Sequence, residues 1–246
     1  MVQCVVLAGG LATRLRPLTE KVPKSLLEVG GEPFVHHQLR WMARTGVTDA
    51  VLCVGFLGGM IRDAVGNGSR FGLAVHWVDE GTPLRGTAGA LRCALDAGVL
   101  APSFLVTYGD SWLPVDFSAV HAAFTAQPLP ALMTVFPNEG RWDASNVVFE
   151  DGRLVAYDKR RPEALRGRMR HVDYGLGALR RTVVEERVPA TGAHDLADVL
   201  RVLAEEGRVA GLEMRTRFYE IGSPTGLAEL DALFRAGGMP PAHPLG

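Results

Sequence analysis

Gly9 and Gly10 close the aliphatic run QCVVLA, and Arg14, Arg16 and Lys24 follow in the same loop. Glycines at the carboxyl end of a strand let backbone N–H groups approach phosphate oxygens, with positive φ where it is needed. Arginine and lysine beside them add charge-assisted contacts, of which a triphosphate requires several. The pattern points to phosphate binding; a solvated basic turn is the plainer alternative. No Gly-Lys-Ser/Thr follows the glycines and the spacing is not G-x-G-x-x-G, so neither the Walker A loop nor the dinucleotide fingerprint describes it.

Other residues offer compatible chemistry. Asp110 ends the apolar run SFLVTYGD, where a carboxylate at a sheet edge suits Mg²⁺, although turn aspartates are common. Glu80 precedes GTPLRGTAGAL, and its carboxylate can accept the N1–H and N2–H₂ pair of guanine, which uracil and thymine lack. In that segment Gly86, Thr87 and Gly89 are small residues at a helix start, open to a flat base and favourable to anions. His36, His37, His121 and His194 show no metal spacing and read as helix or cap residues, and no Ser-His-Asp arrangement is apparent.

Elements must place these groups. QCVVLA, DAVLCVG, LAVHWVDE and SFLVTYGD read as strands, alternating with helices in PFVHHQLRWMARTG, LGGMIRDAV and TAGALRCALDAG. That rhythm implies a mostly parallel sheet covered on both faces, with Phe34, Leu39 and Trp41 in the core. Beyond about residue 130, ALMTVF, NVVFEDGRLVAYDK and HVDYGLGAL read as strands, the second a hairpin turning at Asp151-Gly152. RRPEALRGRMR reads as a mobile basic loop, whose Arg160, Arg161, Arg166, Arg168 and Arg170 either cover a phosphate as a lid or are simply solvated. HDLADVLRVLAEEG is an amphipathic helix, VAGLEM and RFYEI are strands, and a helix capped at Ser223 precedes a frayed tail, GMPPAHPLG.

Composition limits the function classes. Of 246 residues, 47% are apolar and 22% charged, as in ordinary globular proteins. A net charge of -1 argues against nucleic-acid binding. Cys4, Cys53 and Cys93 form no CxxC pair and read as small buried hydrophobes in a reducing compartment. No signal peptide and no membrane-length apolar run is visible, which predicts a cytoplasmic protein without a membrane partner.

LAGGLATRLRPLTEKVPKSLLEVGGEPF resembles the motif of the sugar-1-phosphate nucleotidyltransferases: a hydrophobic strand, a glycine pair, T-R-L-x-P-L-T, then P-K. LRGTAGAL, TYGDSW, YDKR and RFYEIGSP resemble that family's later motifs in the same order, so the likeness runs from about residue 2 to 236. The resemblance implies an α/β fold with a single Rossmann-like, mixed, mostly parallel sheet sandwiched by helices and a sugar-binding insertion in the second half. One domain is expected over 1–246, nucleotide-binding to about 130 and sugar-phosphate-binding from about 131 to 236.

It also implies a reaction, in which a sugar 1-phosphate attacks the α-phosphorus of a nucleoside triphosphate in line and releases pyrophosphate without a covalent intermediate. Arg14, Lys24 and Asp110 would be catalytic. Leu7, Ala8, Gly9, Gly10, Thr13, Arg14, Glu80, Gly86, Thr87 and Gly109 would bind nucleotide. Asn146, Asp158, Lys159 and Asp173 would bind the sugar phosphate, although an Asp-Lys pair at a hairpin end is often a plain surface ion pair. Asp110 and Glu220 would hold Mg²⁺, with Glu220 standing where the family usually has Asp. Asp173 replaces the usual Asn. The chain resembles mannose- or heptose-1-phosphate guanylyltransferases more than thymidylyl or uridylyl types, which favours GTP; a homo-oligomer stays open. It lacks the hexapeptide repeats that some relatives append for acetyl transfer. A catalytically silent nucleotide-sugar sensor or scaffold and a phosphocholine-type cytidylyltransferase are the competing readings.

Overall fold

The computed structural model describes residues 1–237, so the expectation for the tail GMPPAHPLG lies outside the described residues. Its first half runs β1 (Gln3–Leu7), β2 (Glu28–Val29), β3 (Glu32–Pro33), α1 (Phe34–Arg44), β4 (Asp49–Val54) and α2 (Gly58–Val65). β5 (Ala74–Asp79), α3 (Gly86–Asp96), β6 (Ser103–Tyr108), β7 (Ser111–Trp112) and α4 (Phe117–Thr125) follow. The second half has β8 (Ala131–Pro137), β9 (Val147–Glu150), β10 (Arg153–Tyr157), α5 (Glu163–Arg166) and β11 (His171–Arg180). It closes with α6 (Arg181–Arg187), α7 (Leu196–Glu205), β12 (Val209–Glu213), β13 (Tyr219–Glu220) and α8 (Pro224–Arg235).

Nine strands form one mixed sheet among the described residues. β6, β1, β4 and β5 are parallel neighbours, so the carboxyl ends of β1 and β6 open at the same edge. β11 joins antiparallel to β6 and also pairs β8, on which β12 lies parallel. Strand β1 shows why its run is apolar throughout. Cys4 and Val6 face a layer with Phe34, Leu39 and Met42 of α1, while Val5 and Leu7 face Ala88, Leu91 and Ala94 of α3 and Leu196, Leu200 and Leu203 of α7. A strand buried on both faces has no polar alternation to show. Phe34, Leu39 and Trp41 are buried as expected, and the three cysteines are free, Cys4 and Cys53 in the core.

The basic segment is a correction. Residues 160–170 contain the short helix α5, bury Met169 and tie Arg168 to Glu150 and Arg160 to Asp158 through paired N–H···O bonds. The helical turn and the buried Met169 depart from the expected loop, whereas Arg160 and Arg168 stay exposed while paired, as a solvated basic segment would have them. Helices α4 and α6 are elements that the sequence reading does not contain.

Candidate active site

The loop leaving β1 is held from below. Leu15 and Thr19 are buried, and the Thr19 hydroxyl donates to the Ala12 carbonyl at 2.8 Å, which leaves Arg14 and Arg16 exposed. Gly9 and Gly10 sit over a cavity of about 230 Å³ lined also by Leu7, Ala8, Lys24, Glu80, Gly86, Thr87, Gly109 and Asp110. Nearly all the expected nucleotide ligands therefore converge; Thr13 and Arg14 lie outside this lining. The two glycines differ. A Cβ on Gly9 would stand 2.0 Å from Glu80 Oε1, so this glycine makes room for the carboxylate. A Cβ on Gly10 would meet nothing within 4 Å, so no protein neighbour demands glycine there. Burial raises the pKa of Glu80, opposed by a backbone hydrogen bond from Arg85.

The carboxylates meet through a two-residue ribbon. Antiparallel pairing sets Glu220 of β13 opposite Ser111 of β7, and the Ile221 N–H donates to the Asp110 carbonyl at 3.0 Å. Lys24 Nζ lies 2.5 Å from Asp110 Oδ2, a half-buried ion pair. Arg14 reaches the same place, because a Cβ on Gly222 would lie 3.2 Å from Arg14 Nη2 and 3.4 Å from Asp110 Oδ2. Desolvation, with the charges of Asp110 and Asp143 adding to it, pushes Glu220 up to about 7, while Arg14 and Lys24 oppose the rise. Residues from three distant motifs thus share one electrostatic centre. Two hard oxygen donors that repel one another fit Mg²⁺, which takes one or two carboxylates and completes its shell with phosphate and water.

Three of the four expected sugar-side residues cluster. The Asp173 carboxylate accepts the Gly175 N–H at 3.0 Å and the Tyr157 hydroxyl at 3.2 Å, and its own N–H donates to Asn146 Oδ1 at 3.0 Å. Burial raises the pKa of Asp173, with the Gly175 hydrogen bond and the Lys159 charge opposing. Asp158 lies beside them, its N–H donating to the Asn146 carbonyl at 3.0 Å, but its carboxylate is gripped by the Arg160 guanidinium at 2.8 and 3.0 Å.

Two features have no counterpart in the sequence reading. Tyr108 borders both the cavity beside Gly9 and Gly10 and a smaller cavity beside Asp173, with Lys159 Nζ 5.8 Å from its ring centre. Gln38 of α1 is buried and donates to the carbonyls of Tyr108 and Ser111 at 2.9 and 3.0 Å, so it clamps the strand end that carries Asp110. A buried glutamine on an apolar helix face was the available signal. The start of α3 also departs from expectation. The N–H groups of Ala88 and Gly89 donate to the His194 carbonyl at 2.9 and 3.3 Å, so those amides face protein and not an anion.

Known proteins agree with this geometry. The family model described as Nucleotidyl transferase matches residues 3–145. An N-acetylmuramate alpha-1-phosphate uridylyltransferase of Neisseria meningitidis serogroup B is 31% identical over 234 residues, covering 94% of this chain and 97% of its own. A mannose-1-phosphate guanyltransferase of Kluyveromyces lactis is 42% identical over 91 residues, 37% of this chain and 25% of that protein. The solved inositol-1-phosphate CTP transferase of T. maritima superposes with a TM-score of 0.75 at 23% identity, over 96% of this chain and 97% of that one, which is a likeness of fold. Uridylyl and guanylyl enzymes both stand among the relatives, so kinship does not choose the base. Taken with the convergence of its motifs on one cleft, these matches mean that the chain belongs to the nucleotidyl transferase family.

Proposed function

We propose that the protein transfers a nucleoside monophosphate from an NTP to a sugar 1-phosphate, giving an NDP-sugar and pyrophosphate. One observation carries the reading: Arg14, Lys24, Asp110 and Glu220 meet beside a cavity floored by Gly9 and Gly10. A phosphate oxygen of the sugar attacks the α-phosphorus, a new P–O bond forms, and the bond to the bridging oxygen breaks with its electron pair leaving on pyrophosphate. The attacking group is already an anion, so no general base is needed. The barrier lies in bringing two anions together, which positioned cations relieve. Lys24 serves the α-phosphate and the attacking phosphate, and Arg14 the departing pyrophosphate. Asp110 and Glu220 would hold Mg²⁺, which when bound supplies divalent charge against the phosphate oxygens.

In this reading residues 1–130 are the nucleotide half of a single domain and 131–236 its sugar-phosphate half, with Lys159, Asn146 and Asp173 on the sugar. We assign guanine as the base, because an ionised Glu80 accepts two donors from it. The runner-up is uridine, favoured by the relative that matches nearly the whole chain. A matrix of GTP, UTP, dTTP, CTP and ATP against mannose, heptose, glucose and N-acetylmuramate 1-phosphates, read by pyrophosphate release with Mg²⁺, tests both. Preference for GTP supports the assignment. Preference for UTP overturns the base and keeps the reaction. Silence with every pair overturns the reaction and leaves a sensor or scaffold or a phosphocholine-type cytidylyltransferase, which CTP with phosphocholine separates.

A further inference from the structure

Helix α7 touches both sides of the cleft. Its first turn is docked on the start of α3: the Thr87 hydroxyl donates to Asp195 Oδ1 at 2.9 Å and accepts the Leu196 N–H at 2.7 Å. Asp195 Oδ1 also accepts the Ala197 N–H at 2.9 Å and so caps α7. The His194 N–H donates to the Arg85 carbonyl at 2.8 Å, reciprocating the bonds that Ala88 and Gly89 make to the His194 carbonyl. Further along, Leu196 and Leu200 border the small cavity that Tyr108 and Asp173 share, and α7 packs on β10, after which come Asp158 and Lys159.

Thr87 borders the nucleotide cavity, yet a hydroxyl has one donor, and here that donor goes to Asp195. A shift of the first turn of α3 must therefore carry residues 194–196 with it, because they are joined by five hydrogen bonds. We propose that Thr87 and Asp195 are positioning residues that couple nucleotide occupancy at the start of α3 to the sugar-phosphate side through α7. The coupling rests on the functional reading above, which decides what each side binds. It reassigns Thr87 from ligand to joint.

The test combines kinetics with amide exchange. Thr87→Val and Asp195→Ala should each raise KM for the sugar 1-phosphate roughly 3- to 10-fold, the worth of the Thr87–Asp195 hydrogen bond that both remove, with the NTP Kd unchanged. Thr87→Ser should restore it, and the double variant should raise KM by less than the product of the two single effects, because both remove the same Thr87–Asp195 bond. In the wild type, NTP alone should slow exchange at Leu196 and Ala197; in Thr87→Val it should not. Weaker NTP binding by Thr87→Val with unchanged sugar KM would make Thr87 a nucleotide ligand and overturn the proposal. So would the absence of NTP-induced protection in the wild type, a measurement that survives if a variant does not fold. Wild-type protein that shows this protection but releases no pyrophosphate sinks the activity and spares the coupling. Activity without protection sinks the coupling alone.

Discussion

Gly86→Ala isolates the close approach that docks α7. Gly86 has φ +74, and a Cβ there would stand 2.5 Å from the His194 carbonyl oxygen and 3.1 Å from its carbon. Both are backbone atoms, so no side-chain rotation relieves the overlap. The left-handed backbone alone costs an L-residue about 1–2 kcal/mol. Overpacking against a fixed neighbour adds about 1–3 kcal/mol. Gly81 provides the control, since it has φ +69 with nothing within 4 Å of its Cβ position. Gly81→Ala should therefore lose about 1–2 kcal/mol and Gly86→Ala about 2–5 kcal/mol, a large share of a typical domain's stability. Urea denaturation with linear extrapolation measures both. If the loop 191–195 yields instead, the Gly86 variant should show faster exchange at Ala88 and Gly89, whose amides depend on His194. Equal losses for the two variants, with exchange unchanged, would refute the reasoning.

Three further outcomes are expected. Asp110→Asn should lower pyrophosphate release by roughly 100-fold or more while the circular dichroism and Tm stay close to wild type; retained turnover would remove Asp110 from the metal assignment. Glu80→Gln should cut the preference for GTP over UTP by about 10-fold, the value of a charged hydrogen-bond acceptor; an unchanged ratio places base selection elsewhere. Glu220 is pushed up to about 7 in the folded protein, so its ionisation there is disfavoured relative to the unfolded chain. That penalty is absent below about pH 4.5 and complete above about 7, hence in metal-free buffer Glu220→Gln should gain stability over wild type as pH rises across that window. The gain should fall well short of the roughly 3 kcal/mol of a dry site, because solvent in the open cleft screens the charge. A difference flat in pH would show that Glu220 feels neither burial nor Asp110.

What the sequence reveals of this molecule follows the range of the interactions. The glycine pair and its cations are adjacent in sequence, and Asp110 follows a strand whose apolar Phe104–Val106 run is plain, so both are readable locally. The pairing of Glu220 with the Asp110 segment is reachable through motif order, yet the ribbon that produces it is two residues long and carries no periodic signal. Thr87 is the opposite case. Its partners lie more than a hundred residues away, and a threonine in a small-residue turn gives no hint of them. The arginines of 160–170 read as solvated and stay exposed; what their charge density does not show is the pairing of Arg160 with Asp158 and of Arg168 with Glu150. Helix α4 is signalled by its Asp116 cap and by Phe117, Val120 and Phe124, which the sequence reading passes over.

The β7–β13 ribbon bears on how the protein comes into being on the ribosome. The residues that line the cavity all lie between 7 and 110, but the second carboxylate arrives with residue 220, after nearly the whole sheet has been threaded. A nascent chain thus carries the whole cavity lining long before its carboxylate pair is complete. The interval marks residues between β12 and β13 as a place where a cut chain, resupplied with its missing fragment, should regain catalysis on complementation.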